Sequence, residues 1–448
     1  MLATRPLHQI KNAFPGIASG WMWIYLIAML GLSVYTSQAM RGFGVPDESA
    51  HYFRAREVSL LHFINSPGKD GVTISCDEYK LVGTANGPIA NLVNVDEIPV
   101  TPNTPCTIKT INTAGTYSPV LYLFSALGFS VADQLHYDYQ RRQFMGRLFN
   151  AAGNSIIIFM ALCLINNYRP LLATLALTPV AFFLRASLSA DAVSTSFSFF
   201  YICFILRKIE QNSELRTNDI LLFSIISIFV GATKPFFSII PFATLVFLTN
   251  KPGNMSAIKW ITLLMTPGIA SVITAGLFTR AADPALIYVS GGSSIQQQFL
   301  YIVHHPINFL MAYLHTSAVG LIPWLIEIVG GGTTTIAIFY GVILGLLCFT
   351  SENKLSPYQR FIFLVLSIAL SGANAAALYM TYSPIGYTEV LGLQGRLFVI
   401  SLLLIFIAIG FNRPGWIFLS SALKTILGYV FPFLLLLYCL RYQTPWNV

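Results

Sequence analysis

The sequence predicts an all-α fold, a polytopic transmembrane bundle of about eleven helices forming a single membrane domain over residues 1–448. Three observations carry this expectation. Of 448 residues 55% are apolar and only 10% charged, against about 25% charged in an ordinary soluble domain. Mean hydropathy is +0.66. Finally, the chain is a succession of apolar runs near the length that crosses a bilayer as a helix. Together they exclude a soluble enzyme, a disordered chain and a disulfide-stapled module. The net charge of +8 comes from scattered residues with no basic-aromatic run, so no nucleic-acid partner is expected and the cations are read as a topology signal.

The first run, 18–38, follows Arg5 and Lys11, which puts the N-terminus in the cytoplasm. A cleaved signal peptide ending near Ser37-Gln38-Ala39 is the rival reading. Next comes 39–146, with ten of the 18 acidic residues and a stretch rich in Pro, Gly, Asn and Thr. The alternation of cationic loops is consistent only if 39–146 is one large external, periplasmic loop, its run at 117–135 being an interfacial helix rather than a span. Cys76 and Cys106 lie there, paired or as two free thiols. Further spans are expected at 147–165, 171–188, 192–206, 219–232, 236–249, 260–278, 333–350, 361–380, 397–411 and 425–440, with another span or two interfacial helices within 300–328. The intervening loops then place Arg207, Lys208, Arg216 and Lys259 inside, and Arg185, Lys234 and Arg396 outside. This describes a multi-pass membrane protein in contact with membrane lipids.

Soluble catalytic signatures are missing: the chain has no Walker loop, no G-x-G-x-x-G, no H-E-x-x-H and no G-x-S-x-G. His304, His305 and His315 fit interfacial histidines better than metal ligands, so no metal or other cofactor is expected; the sequence gives no support for a divalent ion. Gly341 and Gly345 match a helix-packing motif only weakly. The informative segment is Pro46-Asp47-Glu48-Ser49-Ala50-His51-Tyr52-Phe53-Arg54-Ala55, directly after the first span. Pro46 suits a helix start, and acids in the first turn favour the helix dipole. The plain reading is capping. Two adjacent acids beside His51 and Arg54 also suit a catalytic site, because charges near a membrane must sit at the interface or in a wet cavity.

Pro-Asp-Glu-x-x-His-x-x-Arg-Ala after a first span resembles the opening of GT-C glycosyltransferases. More narrowly, it resembles a bacterial membrane-protein family of formerly uncharacterised function related to that superfamily. Tyr117-Ser-Pro-Val-Leu-Tyr122, Thr178-Pro179 with Ser187-Leu-Ser-Ala-Asp191, Lys234-Pro235-Phe236 and Leu391-Gly-Leu-Gln394-Gly395-Arg396 fit the same pattern in order. The resemblance implies an inverting transferase that moves a sugar from a polyprenyl-phosphate donor to an acceptor hydroxyl on the external face. Asp47 would be the base, Glu48 an assisting acid and Asp191 a second acid. His51 would orient Asp47, while Arg54, Tyr117 and Gln394 would contact substrate. Lys234, Arg185 and Arg396 would meet the negative charge of the leaving phosphate, the plain alternative for each being snorkelling to headgroups. The chain departs from the pattern at Leu397, where an aromatic is commoner, and at Arg185, where a neutral polar residue is usual. A surface glycan such as O-antigen is the expected acceptor. A transporter or flippase of a lipid-linked glycan is the main alternative, and a polysaccharide polymerase a third.

Overall fold

The computed structural model describes residues 19–39, 45, 47–64, 72–75, 105–108, 113–251, 253–281, 294–324, 333–350, 355–410 and 420–442. In chain order these form α1 (Gly20–Ala39), α2 (Glu48–Ser59), β1 (Val72–Ser75), β2 (Pro105–Ile108), α3 (Leu123–Gln134) and α4 (Tyr139–Leu164). Then follow α5 (Arg169–Ala176), α6 (Pro179–Arg185), α7 (Asp191–Glu210), α8 (Thr217–Gly231) and a 3₁₀ segment, Pro235–Phe247. The remainder is α9 (Ala257–Ala281), α10 (Ile295–His304), α11 (Pro306–Trp324), α12 (Thr333–Thr350), α13 (Pro357–Tyr382), α14 (Val399–Ile409), α15 (Ser421–Thr425) and α16 (Phe431–Tyr442). The molecule is an all-α polytopic membrane protein, with β1 and β2 forming a short antiparallel ribbon in which Val72 faces Ile108 and Ser75 faces Pro105. Whether Cys76 and Cys106 pair or stay free thiols falls, like Arg5 and Lys11, outside the described residues and side chains.

Six helices among the described residues are long and apolar enough to cross a membrane: α1, α4, α7, α9, α13 and the continuous rod from α15 into α16. The other expected spans take different forms. The run at 171–188 is two short helices, α5 and α6, broken at Pro179, and every residue from 171 to 190 is buried. Proline has no N–H and strands carbonyls in the turn before it. Side chains meet them here: Thr178 Oγ1 donates to the Leu175 carbonyl (2.9 Å), Tyr340 Oη to that of Leu177 (2.9 Å) and Arg185 Nη2 to that of Ala176 (2.6 Å). A helix broken inside a membrane protein is tolerable on this condition. The run at 236–249 is the 13-residue 3₁₀ segment. At a rise of about 2.0 Å per residue it covers about 26 Å, close to the ~30 Å of a hydrocarbon core. Its carbonyls too find partners outside the segment, with Tyr201 Oη donating to Pro241 O at 2.9 Å and Tyr358 Oη to Leu245 O at 3.2 Å.

α2 and α3 have 12 residues each, about 18 Å of helix, too short to span. The run at 117–135 holds a 3₁₀ turn, Pro119–Tyr122, that leads directly into α3, and α4 already starts at Tyr139, inside the stretch expected to be loop. Its first turn is capped by Asp138, which accepts from Arg141 N at 2.9 Å. Within 300–328 the described residues, up to Trp324, belong to two helices, α10 and α11, separated at His305.

α3 lies against α4 at backbone contact, where a Cβ on Gly128 would stand 2.4 Å from the Met145 carbonyl oxygen. Asp133, at the end of α3, pairs with Arg56 of α2 and with Arg142 of α4. These contacts fix α2 on the bundle. Gly128→Leu should therefore lower stability by about 1–3 kcal/mol, read as an earlier unfolding midpoint in detergent. An unchanged midpoint would mean that α3 is free to move off α4.

Candidate functional site

The site begins with an unusual backbone. Asp47 precedes α2 with φ 64° and ψ 6°, in the left-handed region, which costs a non-glycine residue of order 1–3 kcal/mol. Its carboxylate makes no cap bond to α2. Instead Oδ2 accepts from Arg396 Nη2 at 2.7 Å, across 349 residues of sequence, and the side chain stays 60% exposed. The capping reading of Asp47 thus fails, and strain is spent on aiming this acid away from its own helix.

Glu48 points the other way. It is fully buried, with Arg147 Nε on Oε1 at 2.7 Å, Arg147 Nη2 on Oε2 at 2.6 Å and Leu188 N on Oε1 at 3.1 Å. The expectation of an assisting acid is corrected: Glu48 locks α2 to α4 and to the turn before α7. Arg54 is likewise structural. It pairs with Glu57 at 2.8 Å and donates to the carbonyls of Tyr117 (3.2 Å), His62 (3.3 Å) and Phe63 (2.7 Å), which ties down the chain leaving α2. Arg185, expected to contact phosphate, is instead buried at the α5–α6 break, with Nη2 also 3.8 Å from Met29 Sδ.

The other seven expected residues line one cleft of about 890 Å³. Arg396 sits between two acids: besides Asp47, its Nε lies 3.4 Å from Asp191 Oδ2. Asp191, the first residue of α7, also pairs with Lys234, which stands between α8 and the 3₁₀ segment. Lys234 Nζ lies over the Tyr117 ring, 5.2 Å from its centroid. Tyr117 stacks on His51 at 6.1 Å, and His51 Nδ1 shares a 2.7 Å hydrogen bond with Tyr122 Oη. Gln394 closes the cleft just before Arg396.

Two carboxylates and two cations make the cluster neutral when all are ionised. Partial desolvation alone would raise Asp47, but the Arg396 guanidinium outweighs it and holds the carboxyl below its ordinary range. Burial pushes His51 down to about 4, against the pull of Asp191 and Asp47 and with help from Arg396 and Lys234. The imidazole is therefore neutral at pH 7. Lys234 and Arg396 occupy the positions beside the carboxylates, and among the described residues no group of three or more His, Cys, Asp and Glu is gathered for a metal. His315 Nδ1 lies 3.9 Å from Glu389 Oε1 on an exposed surface.

Among the lining residues that sequence reasoning did not single out are Asn374, Leu378 and Tyr382, all on α13. Asn374 had a readable signal: it is an amide in the apolar run of α13, and polar groups inside spans are expensive.

The fold and the cleft define a class: a polytopic helical membrane protein carrying a charge-paired cleft assembled from distant segments. The chain belongs to the DUF2142 family of predicted membrane proteins, whose family model matches residues 29–405. That range includes Asp47, Asp191, Lys234 and Arg396. No curated protein and no solved structure matches the chain.

Glu48→Gln leaves the buried Arg147 without its counter-charge and should destabilise the fold by about 3–5 kcal/mol, whereas Asp47→Asn at its exposed site should leave the unfolding midpoint nearly unchanged. Equal midpoints for the two variants would refute this division of roles.

The His51 shift also has a sign. Its folded value, about 4, lies below the ordinary 6.5, so the unfolded chain binds the proton first. The stability of neutral His51 is complete above pH 6.5 and is lost as pH falls toward 4. The unfolding midpoint should fall over that window, and His51→Gln should flatten the fall; an equally steep fall in the variant would remove His51 as its cause.

Proposed function

We propose that the protein is a polyprenyl-phosphate-sugar-dependent glycosyltransferase of GT-C type that decorates a surface glycan such as O-antigen, with Asp47 as its base. The proposed setting is a bacterial inner membrane, with the N-terminus cytoplasmic and the cleft facing the periplasm; the alternation of cationic loops supports it. The observation that carries the reading is the Asp47 carboxylate, turned out of its own helix and exposed in a cleft that also holds Lys234 and Arg396.

The chemistry balances without a redox partner. An acceptor hydroxyl gives its proton to Asp47 as its oxygen bonds to the anomeric carbon. The bond from that carbon to the phosphate oxygen breaks, and the phosphate leaves with the electron pair. One displacement with one base inverts the anomeric centre. Lys234 and Arg396 meet the charge that develops on the phosphate. Asp191, paired with both cations, acts in this scheme by holding them in position, and His51, neutral and hydrogen-bonded to Tyr122, packs behind Tyr117. A second, largely apolar groove of about 680 Å³ shares Tyr117 with the cleft and runs past Phe63 and Ile64 to Leu277 and Phe278 of α9. An isoprenoid chain attached to a phosphate in the cleft would fit along it.

In purified protein given a polyprenyl-phosphate sugar and candidate acceptors, Asp47→Asn should reduce transfer by about 10²–10⁴-fold while donor binding survives. Lys234→Ala should weaken donor binding itself. A folded Asp47→Asn variant with full transfer activity would overturn the assignment; lipid movement without transfer in the wild type would favour the flippase reading.

A further inference from the structure

The cleft has two unlike walls. One carries Asp47, Asp191, Lys234 and the Tyr117–His51 stack. The other includes one face of α13, on which Asn374, Leu378 and Tyr382 recur every four residues, and the connection to α14, which lines the cleft with Gly392, Gln394 and the cationic Arg396. Resting on the glycosyltransferase reading, we propose that the α13 face is the subsite for the transferred sugar and that Asn374 and Tyr382 set its specificity.

Asn374 is 1% exposed and its Nδ2 reaches only the Leu397 carbonyl, at 3.4 Å, while Oδ1 is buried without a hydrogen-bond partner. A buried amide oxygen left unsatisfied costs free energy, so a polar group arriving beside it relieves that cost. Sugar hydroxyls both donate and accept, which suits the paired donor and acceptor of Asn374 and Gln394. Tyr382 is 39% exposed and offers a ring to the C–H face of a pyranose beside a hydroxyl for its rim.

The wall is also rigid. Gly392 has φ +76°, and a Cβ there would stand 3.7 Å from the Tyr382 ring and 3.8 Å from Leu378, so the turn lies close over this face. Tyr379 Oη donates to the Tyr387 carbonyl at 2.8 Å, and Leu391 N to Ser383 Oγ at 2.9 Å. Gln298, from α10, donates to the carbonyls of Tyr379 (3.1 Å) and Ser383 (2.9 Å), and Val390 N donates to Thr316 Oγ1 of α11 at 2.8 Å. A site held this way loses little entropy on binding.

The test measures affinities of the full-length protein in detergent for polyprenyl phosphate and polyprenyl-phosphate-glucose. Wild type should prefer the glucosylated lipid over the bare one. Asn374→Leu, of similar volume, and Tyr382→Leu should each cut the glucosylated-to-bare affinity ratio by about 3- to 10-fold, the size of one lost hydrogen bond or ring contact. Should Asn374→Leu fail to fold, Tyr382→Leu at its part-exposed site carries the test. Ratios unchanged in the folded variants would overturn the sugar subsite while leaving the donor phosphate site standing. A wild type that binds none of these lipids would overturn the glycosyltransferase reading and this inference with it.

Discussion

The guanidinium of Arg396, set between Asp47 and Asp191, is the interaction on which the site depends. Charges inside a low-dielectric bundle persist only when paired, and here the pairing joins segments far apart in the chain: Arg396 to Asp47 across 349 residues and Lys234 to Asp191 across 43. The neutral cluster thereby brings together the entry to α2, the start of α7, the 3₁₀ segment and the turn before α14. A cleft made this way is electrostatically balanced before any ligand arrives. An anionic ligand placed in the cleft would compete with Asp47 for Arg396 and leave the carboxylate less strongly paired and more basic.

Around this cluster the backbone is irregular where a membrane helix is ordinarily regular. Pro179 breaks the most buried part of the bundle, and Pro235 and Pro241 accompany the 3₁₀ segment. Hydroxyls of Thr178, Tyr340 and Tyr201 and the guanidinium of Arg185 bond the carbonyls at those breaks. Each irregularity presents a terminus near the charges: α6 leads into the turn before Asp191, and the 3₁₀ segment starts beside Lys234. The polar side chains buried in these regions thus serve the backbone, and the backbone in turn serves the cleft.

Asp47 and Glu48 show how far local sequence reasoning reaches. Adjacent acids at a helix start look equivalent. In the fold, the left-handed backbone at Asp47 sends one carboxylate to the cleft, and Glu48 meets Arg147, a cation 99 residues away. Nothing within ten residues of the pair separates their roles. The same holds for the arginines: Arg185 and Arg396 had the same reading as lone cations at span ends, yet one bonds a broken helix and the other bridges two acids. Asn374 reverses the case, an amide whose only mark was its apolar surroundings.

By itself the sequence determined the class of molecule and the outline of its organisation. Apolar run length and scarce charge leave a chain no option but helices in a membrane, and seven of the ten singled-out residues meet because their segments flank those runs. Tertiary structure alone decided which runs stay straight, which break, and which charges pair. Run length and hydropathy are sums over neighbouring residues and are legible in order along the chain. Pairing energy depends on distance between groups that only folding brings within a few ångströms, so the partner of Arg396, and with it the character of the cleft, is a property of the packed bundle.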